Sequence, residues 1–420
     1  MILMPKGTKD VLPQESYQWH YLENQIREVA KAYCLNEIRT PTFEFTELFL
    51  RGVGDTTDVV NKEMYTFEDR GGQSITLKPE GTAGVARSFV ENSLYANPQP
   101  TKMFYLTPVF RYEKPQKGRL REHHQFGVEI FGSFEAITDV EVMLIALELF
   151  KRIGIKKLSL NINSIGCEKC RKDYNQALIV YYKEHLSSMC KTCQERYEKN
   201  PLRMLDCKEE ACIKINKKAP IILDYLCDDC KKHHEQVKEY LNGLGVEYSV
   251  NPYIVRGLDY YTRTVFEFIS TDIGAQGTVC GGGRYNNLVS QIGGVDIPAV
   301  GFGMGLERLL ITMEALGLYC GEKEEPSLYI ASLGERAKIK SLSIAKILRE
   351  KNIPVQIDLM SRSAKAQMKY ADKIKSKYVM VLGDSELDAN KAQIKNMFTG
   401  EVFNLESIDD IGNFLMNRRI

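Results

Sequence analysis

The sequence predicts an α+β protein, and three stretches carry that prediction. The first is Met103-Phe-Tyr-Leu-Thr-Pro-Val-Phe-Arg-Tyr-Glu113 followed, after a basic loop, by Glu122-His-His-Gln-Phe-Gly-Val-Glu-Ile-Phe131. Alternation with period two makes these a hairpin of long antiparallel strands. Phe126, Val128 and Ile130 share one face; Gln125, Gly127 and Glu129 share the other. On the first strand Val109, Arg111 and Glu113 lie opposite Phe110 and Tyr112. The second stretch is Val300-Gly-Phe-Gly-Met-Gly-Leu-Glu-Arg-Leu-Leu310, a strand running straight into a helix, with Gly301, Gly303 and Gly305 stripping one strand face of side chains. The third lies beyond Pro326. There, strand-like segments at 328–331, 355–357 and 378–382 alternate with helical ones at 336–349 and 364–374. That β-α-β-α-β order gives a small α/β unit with a mostly parallel sheet. The expected domains are 1–325 and 326–420.

Composition bounds the rest. At 420 residues, 44% hydrophobic and 26% charged, the chain has material for two or three ordinary globular cores. A net charge of +1 excludes a polycation that holds nucleic acid by bulk charge alone. No apolar run is long enough to span a bilayer, and the opening Met-Ile-Leu-Met-Pro-Lys-Gly lacks the charged start and long apolar centre of a signal peptide. The expectation is a soluble, cytoplasmic protein. Eleven cysteines, an odd number in a chain this long, argue against a disulfide scaffold.

In chain order, a loop at 6–10 precedes a helix over 15–35, whose apolar face carries Trp19, Leu22, Ile26, Val29 and Ala30. Pro41 cannot donate to a ladder, so the strand-like 38–44 belongs at an edge or is kinked. Strands at 64–67 and 74–78 form a hairpin closed by Gly71-Gly72. Lys78-Pro-Glu-Gly-Thr-Ala83 then enters a helix, which places Glu80, Gly81 and Thr82 where backbone N–H groups are free. By residue type alone, Glu80 and Thr82 would be capping groups. The loop 114–121 carries Lys114, Lys117, Arg119 and Arg121, suiting either a solvated hairpin tip or a contact to phosphates.

From about 155 to 251 the texture changes to short helices and cysteines. Cys167/Cys170, Cys190/Cys193 and Cys227/Cys230 are Cys-x-x-Cys pairs, and Cys207 stands near Cys212. Two such pairs make a tetrahedral thiolate zinc site, and four could make two. Alternatively these are small buried residues that pack without metal. No residue is therefore assigned as a metal ligand.

Next comes Val255-Arg-Gly-Leu-Asp-Tyr-Tyr-Thr-Arg-Thr-Val-Phe-Glu-Phe268, then Gly277-Thr-Val-Cys-Gly-Gly-Gly-Arg-Tyr285. Gly281 to Gly283 let a ligand approach backbone closely, but no Lys-Ser/Thr follows to make a phosphate-binding P-loop. From 326 onward the chain has 16 Lys and Arg against 11 Asp and Glu, a basic excess that the remainder lacks.

The run Phe110-Arg111-Tyr-Glu113, the basic loop and Gln125-Phe-Gly-Val-Glu129 resemble the second signature motif of class II aminoacyl-tRNA synthetases. Residues 300–310 resemble the third, and 255–268 with 277–285 resemble the two motifs of the histidyl-tRNA synthetases. The resemblance covers nearly the whole chain. It implies a class II antiparallel-sheet catalytic domain over 1–325 with a helical insert at about 167–245, plus an α/β anticodon-binding domain over 326–420. It further implies ATP-dependent joining of L-histidine to tRNA(His) through histidyl-adenylate, with ATP as substrate and Mg²⁺ as cofactor. Arg111 and Arg256 are the implied catalytic residues at the α-phosphate. Glu113, Arg119 and Arg308 join them in binding ATP, Arg308 at the γ-phosphate, and the glycine stripe would receive adenine. Glu80, Gly81, Thr82 and Gln125 would hold the ammonium group, while Glu129, Tyr260 and Tyr261 would surround the imidazole. Gln116 would touch the RNA's first residues, and the insert would cover the acceptor stem. Pro41 falls at the position where the family builds its homodimer interface. The family does not require zinc.

Two alternatives were open to the sequence. A catalytically inactive paralogue, serving as a regulatory subunit in histidine biosynthesis, would be expected to lack the three arginines and the C-terminal domain, both present here. A class II synthetase for another amino acid would lack the two histidyl motifs.

Overall fold

A computed structural model describes residues 1–54, 57, 59–115, 118–270 and 277–418. Gln116 and Lys117 lie outside the described residues. The chain divides into two units, Met1–Gly321 and Glu322–Ile420.

The first unit contains strands β1 (Asn36–Glu37), β2 (Phe43–Phe45), β3 (Tyr65–Glu68), β4 (Ser74–Leu77), β5 (Thr101–Phe110), β6 (Glu122–Phe131), β7 (Leu158–Ser164), β8 (Ser249–Val250), β9 (Thr262–Ser270), β10 (Thr278–Arg284) and β11 (Ala299–Gly305). Eight of them form one sheet in the order β1-β5-β6-β11-β10-β9-β7-β8. Its central pairs are antiparallel; only the outermost, β1 with β5 and β7 with β8, are parallel. A second, three-stranded antiparallel sheet has the order β2-β4-β3. Pro41 lies in neither sheet, where the chain passes from the edge of one to the edge of the other.

One face of the large sheet is core. Phe104, Phe126, Val128, Ile130, Phe266, Phe268, Val300, Phe302 and Met304 pack against Leu22, Ile26 and Val29 of the helix Ser16–Ala32. They also meet Val142, Met143, Ala146 and Leu149 of the helix Ala136–Arg152. Each large apolar side chain buried there contributes about 1.5–3 kcal/mol before entropic costs, which fixes the register of every strand it sits on. Register then dictates the other face. Met103, Tyr105, Thr107 and Val109 pair with Glu129, Gly127, Gln125 and His123. Gly301, Gly303 and Gly305 pair with Glu129, Gly127 and Gln125. Gly281 and Gly283 pair with Gly303 and Gly301, and Gly281 also with Glu267.

Two expectations need adjustment. The alternation extended the first long strand to Glu113, but β5 stops at Phe110. Beyond it the Arg111 N–H donates to the Arg121 carbonyl at 2.8 Å, and the Tyr112 N–H turns away to the Glu63 carbonyl at 2.7 Å. Arg111 and Glu113 thus sit at the mouth of the basic loop rather than on the strand.

The second adjustment concerns the second unit. Strands β12 (Leu328–Ser332), β13 (Val355–Ile357) and β14 (Tyr378–Leu382) are parallel, as read. The sheet continues into antiparallel β15 (Ala392–Asn396) and β16 (Val402–Leu405), so it is mixed rather than mostly parallel. These two strands bury only alternate residues, such as Ala392, Ile394 and Leu405, and their short polar-flanked pattern does not read as a core strand.

The insert folds as helices Glu168–His185, Lys191–Lys199, Glu210–Asn216 and Asp228–Gly243 around Tyr174, Leu178, Tyr182, Met204 and Ile222. Among the described residues no helix is long and apolar enough to cross a membrane.

Candidate active site

Four of the glycines on the open face exist for their neighbours. A Cβ on Gly301 would fall on the Glu129 carboxylate, on Gly303 on the Gln125 amide, on Gly127 on the Tyr105 ring and on Gly281 on the Arg256 guanidinium. The glycine stripe is therefore largely covered by the site's own polar side chains. Gly305, at its end, has open space where a Cβ would be, which leaves that end of the stripe for a flat ring.

Glu129 is fully buried. Its Oε1 accepts from Thr82 Oγ1 at 2.7 Å and from the Tyr105 hydroxyl at 3.1 Å; its Oε2 accepts from the Tyr285 hydroxyl. Burial pushes its pKa up to about 8, and these three hydroxyls oppose the shift without cancelling it. Glu80 is buried beside it, its pKa also raised by burial. Glu80 accepts from the backbone N–H groups of Thr82 (2.8 Å) and Ala83 (2.7 Å) at the start of the helix Thr82–Glu91, so capping is what it does here. The Tyr260 hydroxyl lies 3.5 Å from the same carboxylate, and the Gly81 N–H donates to Gln125 Oε1 at 3.1 Å. Tyr260 and Tyr261 pack ring to ring at 4.7 Å. Every residue expected to hold histidine thus falls in one cluster, knitted together by hydrogen bonds and ring contacts.

The arginines border it. Arg111 Nε donates to the Pro79 carbonyl at 2.7 Å, and the charge of Arg111 reaches Glu80. Arg119 pairs with Glu113 at 3.2 Å. Arg308 Nη1 donates to the Thr278 carbonyl at 2.5 Å and Nη2 to the Gly118 carbonyl at 3.3 Å, leaving no carboxylate to neutralise it in those contacts. Arg256 is not a surface cation: it pairs with Glu267, stands over Tyr261, and keeps a buried Nε without a hydrogen-bond partner among the described residues. Its backbone carbonyl accepts from Arg203 of the insert at 2.8 Å. A groove of about 420 Å³ opens beside it, lined among others by Arg171, Lys172, Lys199 and Asp259.

Sequence reasoning missed four participants: Tyr105, Tyr285, Glu267 and His123. Tyr105 and Glu267 were legible in principle, because alternation within their own strands turns them away from the core residues Phe104, Phe266 and Phe268. His123 is held neutral, its pKa pushed down to about 3 by burial and then by Arg111 and Arg308.

Comparison with known proteins bears on this arrangement. A family model described as Histidyl-tRNA synthetase matches residues 7–172 and 183–309. The chain belongs to the histidyl-tRNA synthetase family. A second model, described as Anticodon binding domain, matches residues 327–418. The histidine–tRNA ligase of Caldanaerobacter subterraneus subsp. tengcongensis is 57% identical over 98% of this chain and 99% of its own. That of Clostridium novyi is 55% identical over 99% of each chain. Among solved structures, the apo histidyl-tRNA synthetase of S. aureus superposes with a TM-score of 0.84 at 39% identity, covering 99% of this chain and all of its own. The α+β class and the histidyl-family resemblance read from the sequence both stand.

Proposed function

We propose that this protein activates L-histidine with ATP and transfers it to tRNA(His). The observation that carries the reading is the pocket of two buried carboxylates and four tyrosines, bordered by Arg111, Arg256 and Arg308 on one face of an antiparallel sheet. Such a pocket offers hydrogen-bonding groups to a cationic, ring-bearing amino acid, and the arginines offer planar cations to phosphate oxygens.

In this reading the histidine carboxylate attacks the α-phosphorus of ATP. A C–O–P bond forms, the bond to the β-phosphate oxygen breaks, and pyrophosphate leaves. No general base is needed, since the carboxylate is already ionised, so catalysis is positioning and neutralisation of charge. Arg111 and Arg256 would hold the α-phosphate and Arg308 the γ-phosphate, with Arg119 nearby. Mg²⁺, when bound, supplies further charge neutralisation. Glu113, a carboxylate set between Arg111 and Arg119, is of the hard-oxygen kind that holds Mg²⁺ together with phosphate oxygens. Glu80, Thr82 and Gln125 would take the ammonium group and Gly81 would shape its site. Glu129, Tyr260 and Tyr261 would enclose the imidazole. A pocket built to pair both ring nitrogens rejects apolar amino acids, which would leave its buried groups unpaired. A ribose hydroxyl at the tRNA end then attacks the adenylate carbonyl carbon, and AMP leaves.

The regulatory paralogue is not favoured: the three arginines are present and the anticodon-binding match spans 327–418. That domain's basic excess suits phosphate contacts. Charging of tRNA(His) with labelled histidine tests the reading, and absence of charging would sink it.

The homodimer belongs to the same proposal. Phe43, Phe45 and Phe67 are about half exposed on the small three-stranded sheet, and Phe45 and Phe67 both pair with Ile75. An apolar face of this kind, next to Pro41, suits burial against a second copy. Sedimentation velocity should give twice the chain mass; a monomer at micromolar concentration would refute it.

A further inference from the structure

Eight of the eleven cysteines lie in the helical insert, and the fold sorts them into two groups that sequence order alone does not give. The pairs nest, one group inside the other. Cys167 and Cys170, at the entry to the insert, meet Cys227 and Cys230 at its exit; Cys190 and Cys193 meet Cys207 and Cys212 within it. In each group all four sulfur atoms lie within 4.8 Å of one another. The Sγ separations include 3.6 Å for Cys167–Cys170, 3.9 Å for Cys167–Cys227 and 3.7 Å for Cys190–Cys207.

We propose that the insert binds two structural zinc ions, one at Cys167, Cys170, Cys227 and Cys230 and the other at Cys190, Cys193, Cys207 and Cys212.

Four observations converge on this. First, a tetrahedral zinc–thiolate centre with bonds of about 2.3 Å holds its sulfurs about 3.8 Å apart, which the three separations above match and the 4.8 Å bound on the rest approaches. A disulfide would need about 2.05 Å, and all eight are free thiols. A cubane iron–sulfur cluster interposes its own iron and sulfide between the thiolates and would spread them more widely.

Second, the charge is met. Four thiolates around Zn²⁺ carry a net double negative charge, and Cys167, Cys190 and Cys227 each stand at the N-cap of a helix, near the positive end of its backbone dipole. Third, backbone N–H groups point at sulfur. The Cys227 N–H donates to Cys170 Sγ at 3.1 Å, and the Cys190 N–H donates to Cys212 Sγ at 3.3 Å. Packed thiols without metal have no need of such donors. Fourth, each group pairs two buried with two half-buried cysteines, which leaves a way in for the ion.

The insert also needs such clips. Its core rests on a few tyrosines and aliphatic residues, and modules this small gain stability from metal. The outer site ties the insert's entry to its exit, and the inner site joins the helix Lys191–Lys199 to Glu210–Asn216. Between the two inner cysteine pairs lie Asn200, which donates to Asp259 at 3.2 Å, and Arg203, which donates to the Arg256 carbonyl. Arg171, just after the first outer pair, donates to the Tyr261 carbonyl at 3.2 Å. The metals would thus steady the segment that carries Arg256 and Tyr261, without touching substrate.

The test is metal analysis of the full-length protein made in zinc-supplemented medium and dialysed free of loose metal. Two zinc ions per chain are expected. Cys190→Ser and Cys227→Ser should each reduce this to one, while Cys320→Ser, outside both groups, should leave two. Replacement by Co²⁺ should give the sulfur-to-metal charge-transfer absorption of a tetrahedral thiolate site, a readout that does not depend on the variants folding. Zinc well below one per chain, with all eight thiols reacting at once with a thiol reagent, would overturn the proposal. So would an intact mass showing disulfides in these groups, and iron in place of zinc would overturn the choice of metal.

Discussion

Glu129→Gln should separate stability from function in this protein. Glu129 has no solvent exposure, and its pKa is pushed up to about 8 from an ordinary 4.5. Between those values the folded state keeps a proton that the unfolded state has released. Stability therefore falls as pH rises from about 4.5 to about 8 and levels off above. At 1.36 kcal/mol per pKa unit, the ionised group costs the fold on the order of 3–5 kcal/mol at pH 8 and above. Glutamine keeps the shape and removes the charge, and its amide oxygen retains two of the three hydroxyl donors. The variant should match wild type in urea near pH 5 and exceed it increasingly up to pH 8. Histidine binding should move the other way. Losing the hydrogen bond proposed between the neutral Glu129 carboxyl and the imidazole costs about 0.5–1.5 kcal/mol, roughly 2- to 12-fold in kcat/KM for histidine. The assay is urea midpoints at several pH values beside histidine-dependent pyrophosphate exchange. Equal midpoints at pH 5 and pH 8.5, or an unchanged kcat/KM, would refute the reasoning.

Other variants test neighbouring parts of the account. Arg284 and Asp139 form an ion pair with no solvent exposure; burial works against the Asp139 charge, but Arg284, helped by His233, outweighs it and holds the carboxyl down at about 2. Its stabilisation is present above the ordinary 3.8 and is lost only as pH falls through about 2. Arg284→Met should cost about 3 kcal/mol by leaving Asp139 with His233 alone, 3.3 Å away, and adding Asp139→Asn should recover part of it; an unchanged urea midpoint in the single variant would contradict this. Gly303→Ala puts a methyl where the Gln125 amide lies, so KM for histidine should rise about tenfold or more while far-UV circular dichroism stays put. Unaltered KM would mean that Gln125 has room to move.

Much of the site was legible because strand alternation is a strong constraint. Gln125, Gly127 and Glu129 were bound to share a face once Phe126, Val128 and Ile130 were committed to the core. The glycines at 301, 303 and 305 had to lie beside them only after the order of strands was known, and no local pattern fixes which strand neighbours which. Arg111 shows the limit of alternation, since the chain leaves the ladder just beyond it, where the Tyr112 N–H turns to the Glu63 carbonyl. Glu80 shows another, because capping and ligand binding ask for the same residue at the same junction. The cysteine spacings suggested metal, but which pairs meet depends on how four helices pack.

The most direct test of the central claim is ATP–pyrophosphate exchange measured with each of the twenty amino acids, for wild type and for Arg256→Ala. The account predicts exchange with histidine alone, lowered about 100- to 1,000-fold in the variant by loss of charge stabilisation at the α-phosphate. Exchange with another amino acid, no exchange at all, or full activity in Arg256→Ala would contradict it.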